Sequence, residues 1–237
     1  MGFGLVPVNF GSMHTPQPSS HGTIFLSGSI PDRDRWDGEF NPLEITDAVV
    51  ALARACLTRG FRIVTAAHPT IAPLLLYVAA EFPIFDEPQV VIYQSLLFET
   101  VLPTATRRFE AEGVGELIWT ESAPGEEPIP GKWDESLSLM RGRMLEETDP
   151  WAAVFVGGMS GIEDEFARYA SLFPTRPMYA ARRPGGAASS LSSERHLQDL
   201  ADVDQHASYP TLWNRFLDEV SPPEAESGSA SGNRMNN

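Results

Sequence analysis

The chain has one cysteine, Cys56, in 237 residues, which excludes a disulfide framework and a cysteine-built zinc cluster. Basic residues are scarce as well: 17 Lys and Arg stand against 32 Asp and Glu, a formal charge of −15. Such a field repels phosphate backbones and anionic headgroups, so neither nucleic acid nor a membrane surface is an expected partner. A small anionic ligand stays open, because salt screens distant charge within about 10 Å and local amides or arginines dominate at close range. The longest apolar run, IAPLLLYVAA, has about ten residues where a membrane span needs about twenty. The five histidines show no H-x-x-x-H spacing, so no metal is expected. The opening MGFGLVPVNF lacks a basic start and a continuous apolar stretch, and Val6 stands where myristoylation needs Ser or Thr. The chain therefore reads as soluble and cytoplasmic. Neither G-x-x-x-x-G-K-[ST] nor G-x-S-x-G nor G-x-G-x-x-G is present, which removes the P-loop, serine-hydrolase and dinucleotide fingerprints.

What the sequence does contain is a regular alternation of short apolar runs and longer helical patterns. Residues 1–22 are rich in Gly, Pro, Ser and His without a period and read as a flexible arm. Residues 221–237 have almost nothing to bury and read as a disordered tail. Between them, 23–220 is expected to form one domain. TIFLSGS, FRIVTAA, QVVIYQS, ELIWT, WAAVFVGG and PMYAA read as strands, and the last of these runs into a flexible PGG turn. The helices expected between them begin with NPLEITDAVVALARACLTRG, in which Asn41 is the N-cap, Pro42 stands at N1, Glu44 completes a capping box at N3 and Gly60 ends the helix. Ile45, Val49, Ala53 and Cys56 recur at helical spacing and should face a sheet. Further helices are expected over 70–82, 99–113, 133–147 and 161–173, with one or two more between 191 and 220. Strands separated by helices of this length make a parallel sheet covered on both faces, a Rossmann-like doubly wound α/β fold.

In such sheets ligands lie outside the carboxyl ends of the strands, so the strand-to-helix turns are the places to search. In LSGSIPDRDRW, Gly28 lets backbone approach a ligand, and Ser27 and Ser29 can donate to phosphate or ribose oxygens. The alternating charges that follow, with Arg33 and Arg35, read as a solvated loop. In TAAHPTIAP, His68 leaves the strand as a donor facing either a ligand or a loop carbonyl, and Thr70 is placed to cap the next helix. In VFVGGMSGIEDEF, Gly157, Gly158 and Gly161, with Met159 and Ser160 among them, clear side chains from a helix N-terminus whose free N–H groups attract an anion. Glu163, Asp164 and Glu165 gain from the same dipole. A carboxylate here is repulsive to a phosphate but accepts hydrogen bonds from ribose hydroxyls, so the pair of features suits a ribose phosphate better than a bare phosphate.

Arg141 on the preceding helix, followed by GGMSGIEDE after a late strand, resembles the SLOG superfamily, named for Smf/DprA and the LOG phosphoribohydrolases. The resemblance spans about residues 23–182. LOG enzymes carry an Arg-Lys pair and then P-G-G-x-G-T-x-x-E. Here Gly142 replaces the Lys, one extra residue precedes Gly161, and Ile162 stands for Thr. The resemblance implies that Arg141 and Glu165 match the catalytic pair that, in the hydrolases, acts at the N-glycosidic bond of a nucleoside 5′-monophosphate. With SGS, HPTIAP and GGMSGIEDEF in place of the hydrolase motifs, the chain looks closer to the SLOG domains that sense nucleotide or NAD-derived signals in bacterial anti-phage systems, beside TIR or Sir2 effectors. That branch implies a sensor holding an ADP-ribose-like ligand, with no cofactor, in a homo-oligomer. The alternative is a LOG-like N-glycosidase, and a third possibility is a degenerate fold kept for protein contacts.

Overall fold

A computed structural model describes residues 22–83, 87–191 and 200–220. Both the N-terminal arm, up to residue 21, and the tail at 221–237 lie outside the described residues.

Six strands, β1 (Thr23–Ser29), β2 (Arg62–Ala66), β3 (Val90–Ser95), β4 (Glu116–Thr120), β5 (Ala152–Gly157) and β6 (Met178–Ala180), form one sheet in the order β4-β3-β2-β1-β5-β6. Every neighbouring pair is parallel. The chain steps outward from β1 to β4 and then returns to pair β5 with β1, placing Ser29 beside Gly157. That reversal opens a crevice at the carboxyl ends of β1 and β5. The fold is thus a Rossmann-like α/β sheet.

Alternation along the strands feeds two cores, as strands buried on both faces require. Ile24, Leu26, Ile63, Ile92 and Val154 point to one face, and Phe25, Val64, Val91, Tyr93 and Phe155 to the other. The first face is covered by α1 (Pro42–Thr58), α2 (Ala72–Ala79) and α7 (Tyr209–Val220), and the second by α4 (Asp134–Thr148) and α5 (Ser160–Leu172). Ile45, Val49, Ala53 and Cys56 are fully buried in the first core, where burial pushes the Cys56 thiol up and leaves it unreactive. In α7 the spacing Tyr209, Leu212, Trp213, Phe216, Leu217, Val220 makes one apolar face. Trp213 lies under α1 and donates its indole N–H to the Ala48 carbonyl at 2.8 Å.

Local signals are kept at α1 with one change. Asn41 Oδ1 accepts from the N–H groups of Leu43 at 3.0 Å and Glu44 at 3.3 Å. Glu44 does not reach back to complete a capping box: its carboxylate accepts from the Tyr209 hydroxyl and pairs with Arg183 at 3.2 Å, tying α1 to α7. Two other expectations are corrected. The segment 99–113 is not one helix but a 3₁₀ turn (Leu96–Val101) and α3 (Thr104–Ala111), broken at Leu102 and Pro103. The glycines after β6 are not a loose turn: Gly185 and Gly186 hold φ of +76° and +72°, and a Cβ on either would strike backbone within 2.5 Å. Between β6 and α7 lies α6 (Leu200–His206). Replacing Asn41 with Ala should lower unfolding stability by about 1 kcal/mol in chemical denaturation, while Asn41→Asp should stay close to wild type.

Candidate functional site

The carboxyl ends of β1, β2, β3 and the N-terminus of α5 surround a cavity of about 610 Å³, within the size range of small-molecule sites. Ser27, Gly28 and Ser29 from β1, His68 after β2, Arg141 from α4, and Met159, Ser160, Gly161 and Glu165 around α5 all line it. Thr70, Gly157 and Gly158 do not.

At the centre of this group Glu165 is buried, and each of its oxygens is held. The Ser27 hydroxyl donates to Oε2 at 2.5 Å, and Arg141 Nε donates to Oε1 at 2.9 Å. Arg141 also lies 3.7 Å from Asp164, whose side chain is largely exposed. The three carboxylates of the motif therefore separate: Glu163 and Asp164 face solvent, and Glu165 turns inward.

The glycines separate in the same way. Gly157 and Gly158 hold φ of +66° and +73°, and their Cβ positions are filled by the Ser29 carbonyl and Ile45 and by Ile162. The Gly158 N–H donates to that Ser29 carbonyl at 2.7 Å, so this pair builds the turn that closes β5 against β1. Gly161 alone opens the site: a Cβ there would stand 2.7 Å from Arg141 Nη2. The first turn of α5 has no side-chain cap. Its Ser160 and Gly161 stand at the rim of the cavity, where the free N–H groups of a first turn favour an anion.

Thr70 does not cap α2, whose N-cap is Ile71 with no side-chain bond. Its hydroxyl accepts from the Ile30 N–H at 3.2 Å and lies 2.9 Å from His68 Nδ1, which also receives the Thr70 N–H at 3.3 Å. An Nδ1 that accepts leaves the ring proton on Nε2. Burial, and then the charge of Arg35, pushes the His68 pKa down to about 4. His68 is thus a neutral donor in a cavity of mixed charge.

A protein-family model, the SLOG cluster3 family, matches residues 35–217. The chain belongs to the SLOG cluster3 family. No curated protein matches it. Among solved structures it is similar to the X-ray structure of TM1055, a structural genomics target, at 14% identity over 70% of this chain and 78% of that one, with a TM-score of 0.42.

This SLOG domain also lines its cavity with residues that the turns do not announce. Gln94 from β3, Phe98 from the 3₁₀ turn, Trp133 before α4 and Arg35 all face it. The Phe98 and Trp133 rings lie 5.5 Å apart and the Arg35 guanidinium 6.0 Å from the Trp133 ring. Trp133 is fixed by a cap donated from a distance: the Glu126 carboxylate accepts from the N–H groups of Glu135 and Ser136 at 2.9 and 2.8 Å, and the Ala123 N–H donates to the Ser136 hydroxyl at 2.8 Å. Bonds from Ser136 and then from the two backbone N–H groups hold the Glu126 pKa below the usual carboxylate range. Apolar residues around Phe98, with Pro103 and Pro128 in the lining, were the only sequence signal for this wall.

The His68 environment sets a pH dependence. In the unfolded chain the ring takes up a proton near 6.5, whereas in the folded chain it does so only near 4, so stability falls as pH drops through that window. At about 1.4 kcal/mol per pH unit, wild type should lose about 2 kcal/mol more than His68→Asn between pH 7 and pH 5, measured by urea denaturation at each pH.

Proposed function

We propose that the protein is a sensor module that binds a nucleotide or NAD-derived, ADP-ribose-like ligand at the mouth of β1 and β5. The observation that carries the proposal is the conjunction, in one cavity, of an uncapped helix N-terminus and the Ser27–Glu165–Arg141 cluster. The first suits phosphate, and the second presents a carboxylate to ribose hydroxyls. Membership of the SLOG cluster3 family supports a nucleotide-related role. The wider setting that fits such a sensor is a bacterial anti-phage or nucleotide-signalling system, in which a homo-oligomer passes the binding signal to a TIR or Sir2 effector.

Binding without turnover is favoured over hydrolysis because both Glu165 oxygens are already engaged, which opposes a role as a free base that activates water. One feature favours the second reading, a LOG-like phosphoribohydrolase: Arg141 and the buried Glu165 form a partly buried pair within the cavity, and such a pair could stabilise an oxocarbenium-like ribose. If that reading holds, Glu165→Gln abolishes release of the base from a nucleoside monophosphate.

The deciding experiment is a thermal-shift panel of AMP, ADP-ribose, cyclic ADP-ribose isomers, NAD and cyclic dinucleotides, with mass spectrometry on every sample. A ligand at about 100 times its Kd stabilises the fold by about 2.7 kcal/mol, so a sensor gives a higher melting temperature with the ligand recovered intact. Released base identifies the hydrolase instead. Gly161→Ala, which pushes on the Arg141 guanidinium without requiring a left-handed backbone, should reduce affinity by about tenfold and leave the apo melting temperature within a few degrees of wild type.

A further inference from the structure

The strand order sets a direction across the cavity. Moving along the sheet top from α5 and β5, one meets β1 with Ser27, then β2 followed by His68, then β3 with Gln94. Neighbouring strands lie about 4.8 Å apart. Since β1 pairs with β2 and β2 with β3 at matching heights, Gln94 lies about 10 Å from Ser27, two strand spacings away. Ser27 belongs to the cluster that faces the ribose, so that distance leaves room for a ribose beside Ser27 and its attached base beside Gln94.

The β3 end of the cavity differs in chemistry from the α5 end. Gln94 is 8% exposed, and its Oε1 accepts from the Ser95 N–H at 2.9 Å. With the carbonyl oxygen fixed by backbone, the amide NH₂ is the group left for the cavity, and it can only donate. Phe98 and Trp133, the latter held by the Glu126 cap, offer ring faces, and Arg35 adds a cation over Trp133. Flat aromatic faces beside a fixed donor are suited to a heteroaromatic ring with an acceptor on its edge.

We infer that Gln94, Phe98 and Trp133 form a base subsite, which orients a nucleotide with its phosphate at the α5 N-terminus and its base at the end of β3. This inference rests on the proposed nucleotide-binding function and specifies it: a purine or pyrimidine is required for tight binding, and sugar phosphate alone is not enough.

Calorimetric titration of AMP and of ribose 5-phosphate into wild type, Trp133→Ala, Trp133→Phe and Gln94→Glu tests it, with melting curves to verify folding. Wild type should bind AMP at least about tenfold more tightly than ribose 5-phosphate, as base stacking on an aromatic ring implies. Trp133→Ala should close most of that gap by weakening AMP alone, and Trp133→Phe should restore it. Gln94→Glu keeps the acceptor for Ser95 N–H but loses the donor, so it should weaken AMP more than ribose 5-phosphate. A wild-type preference for AMP that survives both Trp133→Ala and Gln94→Glu overturns the base subsite and leaves nucleotide binding standing. If wild type binds neither compound, the subsite as drawn for a nucleoside monophosphate fails, and the nucleotide-binding function is decided separately by the wider ligand panel.

Discussion

The buried carboxylate of Glu165 ties together, at the mouth of the cavity, three elements that otherwise meet through the apolar core beneath it. Through Ser27 it holds the end of β1, through Arg141 it holds α4, and its own backbone belongs to α5. A buried ion pair adds little net stability, because desolvating two charges costs about as much as their attraction returns, yet removing one partner strands the other and costs about 3–5 kcal/mol. The cluster therefore acts less as a source of stability than as a constraint on geometry. It sets where α5 begins relative to β1, and so where the free amides of that helix sit. Gly161 belongs to the same constraint, since the Arg141 guanidinium occupies the space a side chain there would need.

Much of the fold was legible because it rests on local chemistry. Asn41, Pro42 and Gly60 mark the ends of α1 in sequence and in structure, and the short apolar runs became strands that, apart from the partly exposed edge strand β4, are buried on both sides. What was not legible depends on contacts between distant segments. Glu44 looked like half of a capping box, but α7 brings Tyr209 to it and the loop after β6 brings Arg183. Arg35 is exposed, as its run of alternating charge suggests, yet the packing of the loop before α4 also places Trp133 within its reach. Glu126 lies nine residues before the first helical N–H it caps, too far for a capping pattern to register.

The site shows the same division. Ser27, His68, Gly161 and Glu165 were found from strand-to-helix turns and Arg141 from the family resemblance, and they do meet at one cavity. Gly157 and Gly158 come from the same motif yet serve the backbone turn, since their Cβ positions are already filled. Gly142, which stands where LOG enzymes have a lysine, is buried in α4, and the Arg168 guanidinium lies 3.1 Å from where its Cβ would be. A side chain at that position would have to displace the Arg168 guanidinium, which donates to Ser138 on α4 at 2.7 Å. Within a chain of net charge −15, the cavity sets two helix amides, Arg141, Arg35 and an uncharged His68 beside the carboxylates of Asp134, Asp164 and Glu165, and groups this close outweigh the distant field.

A crystal structure of the protein grown with ADP-ribose tests the central claim most directly. The account predicts intact ligand in the cavity at the ends of β1 and β5, with phosphate oxygens on the Ser160 and Gly161 N–H groups and a ribose hydroxyl on Glu165. Ligand bound on another face of the sheet, or a cavity left empty at saturating ADP-ribose while another nucleotide binds elsewhere, would contradict it.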